Sequence, residues 1–304
     1  MGALMAGAVV KAGVDYWKVA TKAYRSNFPG VTAIDADIRK ISTRTLHDLI
    51  GDIELIVASP ECTNHSCAKG SGIRNEESRL TAFEVTRFAT EFRPKWIIIE
   101  NVVQMHSWNR HQDLLNGLYE LGYFVRQEIL NSKDFGVPQS RRRLFLICSR
   151  IGEVAKIASL ANKIRLAREI IDFNGNYAST PLFSPKRAVA TIERAERAFS
   201  ALGKKEPFLI VYYGTDGSGG WQSIDEPLRT ITTLDRFAFV KPSAAGHLMR
   251  MLQPEELKLA MGFPAHYKLK NGTRRDKVKL MGNAVCPPVM AHLVRSLIQS
   301  EVLK

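Results

Sequence analysis

Four side chains in this sequence have the types needed for covalent chemistry on an electron-poor ring. Cys62 follows the apolar run "ELIVA" (54–58), Glu100 closes "KWIIIE" (95–100), and Arg141 and Arg143 stand two apart in "QSRRRL", just ahead of "LFLIC". A deprotonated thiol is a strong nucleophile. A carboxyl can hydrogen-bond a ring nitrogen, and a guanidinium can steady a carbonyl oxygen as charge develops on it. Thiolate addition at one ring carbon, assisted in this way, makes the neighbouring carbon nucleophilic. Each residue alone also has a plain reading, since a single cysteine is usually a small buried residue and an arginine run is usually surface. What favours chemistry is their joint placement at the ends of predicted strands. Cys62, His65 and Cys67 lack the second closely spaced ligand pair of a structural zinc site, so no metal is expected.

Strands must carry these residues to one edge. "ELIVA", "KWIIIE" and "RRLFLICS" (142–149) are β-branched or apolar runs that predict buried strands, with "RQEILNS" (126–132) as another. Apolar residues recur at helical spacing in 75–92 and 111–125, giving crossover helices between them. Open parallel sheets bind ligands beyond the carboxyl ends of their strands, where Cys62 and Glu100 fall. In an extended segment Arg141 and Arg143 point to the same face, because side chains alternate with period two. After about residue 150 the pattern turns β-leaning and turn-rich around the polar helix "SPKRAVATIERAERAFSALG", and "VCPPVMAHLVRSLIQSEVL" closes the chain with an apolar stripe. The expected fold is α/β: a Rossmann-like sheet with helices on both faces, formed by 1–150 and 246–304, plus a smaller β-leaning domain over 151–245.

At 304 residues and 45% hydrophobic composition the chain can bury a substantial core. Lys and Arg number 43 against 30 Asp and Glu, a net charge of +13 that favours a polyanionic partner. The cations come in bursts, "QSRRRL", "KNGTRRDKVKL" and "GKK", as suits a folded basic surface rather than a tail. Four scattered cysteines imply reduced thiols. Without a secretion signal or a membrane-length apolar run, the expected location is the cytoplasm.

Taken together, the motifs resemble those of the cytosine-C5 DNA methyltransferase family. Its Pro-Cys loop is matched by Pro60, Glu61 and Cys62, its Glu-Asn-Val motif by Glu100, Asn101 and Val102, and its Gln-x-Arg-x-Arg motif by Gln139, Arg141 and Arg143. "EPLRTITT" resembles the Arg-x-x-Thr motif (Arg229, Thr232), and "GNAVCPPV" the Gly-Asn-x-Val motif (Asn283). The loop departs from the family's usual Pro-Pro-Cys-Gln but keeps the cysteine.

The resemblance implies that Cys62 attacks C6 of a cytosine and that Glu100 meets N3 and the exocyclic amine. It implies that Arg143 meets O2, that Arg141 positions and neutralises neighbouring groups, and that the methyl comes from S-adenosylmethionine. It further implies cofactor contacts at Gly2, Asp37, Pro60, Leu80 and Asn283, and bracing of the recognition region by Arg229 and Thr232. The substrate would be double-stranded DNA with its target base flipped out, and Lys69 and Arg74 could touch phosphate. The expected protein is a monomer of bacterial, archaeal or phage origin, with a possible cognate restriction endonuclease. A tRNA cytosine methyltransferase, or a DNA-binding protein that no longer turns over, are the alternatives.

The N-terminus departs from the family pattern of strand, glycine-rich turn, helix and second strand. "GALMAGAVVKAG" reads as the helix after the turn with no strand before it, and "WKVATKAYRSNFPG" follows with no room for the second strand. Omission of these segments is more economical than deletion, because losing a central strand costs more than the roughly 5–15 kcal/mol that holds a domain together.

Overall fold

The computed structural model describes residues 1–61, 76–160, 163–213, 219–244 and 246–302. Two compact units emerge, one comprising residues 1–135, 141–160 and 285–304, the other residues 136–140 and 161–284.

The first unit opens with helix α1 (Gly2–Met5), strand β1 (Ala12–Asp15), helix α2 (Lys18–Asn27) and strand β2 (Thr32–Asp35). Strands β1 and β2 pair in parallel from Ala12↔Thr32 to Asp15↔Asp35. This corrects the expectation that no strand could stand before "WKVATKAYRSNFPG". "AGVD" has poor intrinsic strand propensity and is extended because it pairs with "TAID", a non-local contact that periodicity cannot show.

Helix α3 (Thr43–Ile50) is capped by the Ser42 hydroxyl, which accepts from Thr45 N–H at 3.2 Å. Strand β3 (Leu55–Ala58) follows, then helix α4 (Glu76–Arg79), a 3₁₀ turn, helix α5 (Glu84–Phe92) and strand β4 (Trp96–Asn101). Helix α6 (His111–Glu120) leads through Gly122, at φ 83°, to β5 (Phe124–Asn131) and β6 (Arg142–Ser149).

The sheet order is β3-β4-β6-β5. Every residue of β4 is buried, and Ile97 and Ile99 pack with Val85 and Ala89 of α5 and Leu114 and Leu118 of α6. Burying an isoleucine side chain contributes roughly 1.5–3 kcal/mol. Strand β3 runs parallel to β4, as expected, but β6 is antiparallel to both neighbours. The connection from Asn131 to Arg142 holds no crossover helix, so the chain can only turn back on itself.

The second unit contains β7 (Thr180–Pro181), α7 (Val189–Leu202), β8 (Phe208–Val211), β9 (Trp221–Ser223), β10 (Phe237–Ser243), β11 (Gly246–Met251), α8 (Pro254–Ala260) and α9 (Arg274–Asn283). Its sheet order is β7-β11-β10-β8-β9. Leu182, Ala195, Ala198, Phe208, Ile210, Ala238 and Val240 form its core, with no accessible surface. Residues 246–284 belong to this unit rather than to the first, because β11 pairs along β10 from Ser243↔Gly246 to Ala238↔Met251.

The return to the first unit begins at Val285 and continues as α10 (Pro287–Val302). Helix α10 packs on α1 so closely that a Cβ on Gly2 would lie 2.6 Å from the Pro287 carbonyl oxygen. Arg295 donates to the Met5 carbonyl at 2.6 Å, closing the other end of α1.

Among the described residues no helix is long and apolar enough to cross a membrane, and no His, Cys, Asp or Glu cluster is suited to a metal ion.

Candidate active site

The carboxyl ends of β3 and β4 lie side by side, since Ala58 registers with Ile99. Ser59 and Glu100 therefore face each other, and the Ser59 hydroxyl donates to Glu100 Oε2 at 2.7 Å. The other carboxylate oxygen, Oε1, is 3.2 Å from Arg143 Nε. Glu100 is only 5% exposed and Arg143 16%, so water screens this ion pair poorly. Asn101, also buried, donates from Nδ2 to the Pro60 carbonyl at 3.2 Å and accepts the Val102 N–H at 2.8 Å. It thereby fixes the chain at Pro60, two residues before Cys62.

Arg141 is buried and joins the group from the strand edge. Its N–H donates to Asn131 Oδ1 at 2.9 Å, and its carbonyl accepts from Ser132 N–H at 3.0 Å. Glu100, Ser132, Arg141, Arg143 and Cys286 line one small cavity of about 10 Å³, roughly the room of one water. Both arginines line this cavity, and Arg143 is the one whose guanidinium pairs with Glu100.

Ser59, Ser132 and Cys286 are members of this cluster that sequence reasoning missed. Only Ser59 carried a signal, as the hydroxyl immediately following a strand whose end was already suspect. Burial pushes the Cys286 thiol up to about 11 against the smaller opposing effect of the two arginines, so it stays protonated and uncharged. Cys62, His65, Cys67, Lys69 and Arg74 lie outside the described residues.

The remaining candidates are distributed as follows. Asp37 follows β2, and Arg39 holds it well below the usual carboxylate range, to about 2, chiefly through side-chain hydrogen bonds. Leu80 sits in the 3₁₀ turn before α5, packed against the core of the first unit. Asp15, which ends β1, is an acid that sequence reasoning passed over because β1 was not recognised. The Tyr16 hydroxyl is shifted upward by partial burial and then by the negative charges of Glu61 and Asp15.

Gln139 belongs to the second unit, whereas Arg141 and Arg143 of the same motif belong to the first. Wholly inaccessible, the Gln139 amide accepts from Ile231 N–H at 2.9 Å and donates to the Ala260 carbonyl at 3.2 Å. Arg229 N–H donates to Gln222 Oε1 at 3.0 Å, and the Thr232 hydroxyl donates to the Leu234 carbonyl at 3.2 Å. Both bonds lie within the second unit.

Asn283 ends α9, and Gly282 before it explains the glycine of that motif. A Cβ there would lie 2.3 Å from the Thr232 carbonyl oxygen, a backbone atom that cannot swing aside. Gly282→Ala is expected to destabilise the protein by about 1–3 kcal/mol through overpacking. Urea unfolding followed by tryptophan fluorescence checks this, and a midpoint equal to that of the parent protein would refute it.

Comparison with known proteins gives the family of the chain. The model of the C-5 cytosine-specific DNA methylase family matches residues 1–299. The chain is 28% identical to the Type II methyltransferase M.HgiDI of Herpetosiphon aurantiacus, over 98% of this chain and 89% of that one. It is 27% identical to the Type II methyltransferase M.SacI of Streptomyces achromogenes, over 95% and 84% of the two chains. Among solved structures, the Entamoeba histolytica methyltransferase EhMeth superposes with a TM-score of 0.69 at 17% identity, covering 97% of this chain and 90% of that one, a likeness of fold. With a family model spanning nearly its whole length, the chain belongs to the C-5 cytosine-specific DNA methylases and is a DNA cytosine-5-methyltransferase.

Proposed function

We propose that this methyltransferase acts on a cytosine flipped out of duplex DNA, through a covalent bond from Cys62 to C6, with S-adenosylmethionine as the methyl source. The observation that carries the proposal is the cluster of Glu100, Arg143, Arg141 and Ser59 at the strand edge from which the chain runs into Cys62. A carboxyl flanked by a hydroxyl and a guanidinium group, with a second arginine on the same cavity, matches the polar edge of cytosine, which offers N3, an amine and O2.

In this reading the Cys62 thiolate adds to C6 and the C5=C6 π electrons move to C5. Glu100 hydrogen-bonds N3 and the amine, while Arg143 turns from the carboxylate to O2 and stabilises the charge there. Ser59 keeps one oxygen of Glu100 in place while the other exchanges partners. After C5 has taken the methyl group, a base removes the C5 proton, the electrons re-form C5=C6 and the thiolate leaves. Flipping is required because C6 is shielded in a stacked duplex.

The residues present fit the cofactor. Asp15 ends β1 and Glu61 follows the end of β3, and acids beyond the carboxyl ends of strands suit the hydroxyls of a nucleoside. Asp37, Pro60 and Leu80 would complete its holding in this unit, and S-adenosylmethionine would supply an electrophilic methyl group there. The Type II names of the relatives support a cognate restriction endonuclease as a partner in the cell, and we place the enzyme in the cytoplasm as a monomer.

The test uses a duplex carrying 5-fluorocytosine, whose C5 fluorine cannot leave as a proton does. In the presence of S-adenosylmethionine, the protein is expected to form an adduct stable to denaturing electrophoresis, and Cys62→Ala to form none. Bisulfite sequencing of DNA from expressing cells supplies the target context for that duplex. Methylation of tRNA but not of DNA would overturn the proposal.

A further inference from the structure

Between His266 and Lys279 the chain carries six cations, Lys268, Lys270, Arg274, Arg275, Lys277 and Lys279, and a single carboxylate, Asp276. The segment joins α8 to α9 and forms the first half of α9, entirely within the second unit. Asp276 is committed to the helix cap, accepting the Thr273 N–H at 2.9 Å and the Thr273 hydroxyl at 2.8 Å. Arg274 is committed to Asp235 and to the Leu252 carbonyl. Lys270, Arg275 and Lys277 form no ion pair among the described residues, and Lys270 and Arg275 are exposed.

Arg274 and Lys277, like Arg275 and Lys279, are helical neighbours of like charge, an arrangement that opposes helix formation in the free protein. Such a concentration of one sign at exposed positions attracts a polyanion. Of the interleaved residues Leu269 and Val278 are buried, and Asn271, Gly272 and Thr273 give no apolar footing for a lipid or for a hydrophobic peptide face. A regular array of phosphates is the complementary surface.

We infer that Lys270, Arg275 and Lys277 form a phosphate-gripping surface on the second unit that binds duplex DNA without reading its bases. The inference rests on the DNA-methylating reading above and deepens it by separating affinity from specificity. Each phosphate neutralised on B-form DNA adds about 0.9 to the slope of log affinity against log salt, so three contacts add about 2.7.

The experiment compares the parent protein with K270Q/R275Q/K277Q by fluorescence anisotropy, from about 50 to 200 mM salt. The probes are one duplex holding the methylated context, one lacking it, and a tRNA. The triple variant is expected to lower the salt slope by about 2–3 and to weaken both duplexes by the same factor, leaving their ratio unchanged. A second variant, K18Q/K22Q/K156Q, removes the same charge at exposed positions of the first unit and is expected to leave the slope as it was. Unchanged circular dichroism melting shows that the variants are folded.

An unaltered slope in K270Q/R275Q/K277Q overturns the inference, as does weakening of one duplex alone, an effect confined to tRNA, or an equal effect of the first-unit variant. If the parent protein methylates DNA while the slope does not move, only this inference fails. If the parent neither binds nor methylates a duplex, the functional reading fails with it.

Discussion

Glu100→Gln is expected to lower the rate of methyl transfer by about a hundred- to ten-thousand-fold, the range associated with loss of a positioned acid or base. The substitution keeps the size of the side chain but replaces one acceptor oxygen with a donor. In the parent protein both carboxylate oxygens face donors, Ser59 Oγ at 2.7 Å and Arg143 Nε at 3.2 Å. A glutamine can satisfy only one of them and sets its NH₂ against the other. It also cannot supply the proton or charge that N3 of the ring requires. The affinity for duplex DNA should change little, since phosphate contacts dominate it. The effect therefore belongs in kcat, read from transfer of labelled methyl to duplex DNA alongside a binding titration. A kcat within ten-fold of the parent, with DNA affinity intact, would remove Glu100 from the chemistry. Glu100→Ala goes further, because it leaves Arg143 largely buried without its counter-charge. A stability loss near the lower end of about 3–5 kcal/mol is expected, given the partial exposure of the arginine.

The strands that carry Glu100 and the arginines are legible in the chain. Strand β6 was readable as "RRLFLICS" because a run of apolar residues without turn formers has few other destinations, and its alternation placed Arg141 and Arg143 on one face. Strand β4 was readable for the same reason, and its burial on both faces follows from "WIIIE" having no polar alternation. The direction of β6 was not readable, because pairing sense depends on the connection rather than on the strand. That connection passes through Gly136–Ser140, which the second unit holds by the Gln139 amide, a contact about ninety to a hundred and twenty positions distant. Strand β1 was missed because Ala, Gly and Asp carry no strand signal of their own. The extent of the second unit was not readable, because nothing in "GHLMRM" shows that it completes a hairpin with β10. Ser132 and Cys286 were invisible for a simpler reason: a hydroxyl and a thiol have no periodic signature, and only the packing of the 3₁₀ turn after β5 (Ser132–Phe135) against α10 brings them to the arginine pair.

Arg250→Met and Glu256→Gln, made singly, are each expected to destabilise the second unit by about 3–5 kcal/mol, since each leaves a buried charge without its partner. Arg250 is 5% exposed and Glu256 3%, and two parallel contacts of 2.7 Å join them. The pair ties together three segments. Glu256 also accepts Asp172 N–H at 2.8 Å and Gln253 N–H at 2.7 Å, while Arg250 donates to the Asp172 carbonyl at 3.0 Å. The guanidinium lies over the rings of Tyr177 and Phe239, at 5.1 and 5.3 Å, so its planar face is occupied as well as its edge. A methionine fills much of the arginine's volume, and so the loss on Arg250→Met reports the stranded carboxylate rather than an empty cavity. The double substitution Arg250→Met with Glu256→Gln removes both charges and should be far less damaging than the sum of the singles. It should not return to the parent value, because Gln253 N–H and Asp172 N–H then share one amide oxygen. Urea unfolding of the four proteins in a double-mutant cycle measures this, and additive losses would show that the two charges stabilise the unit independently of each other.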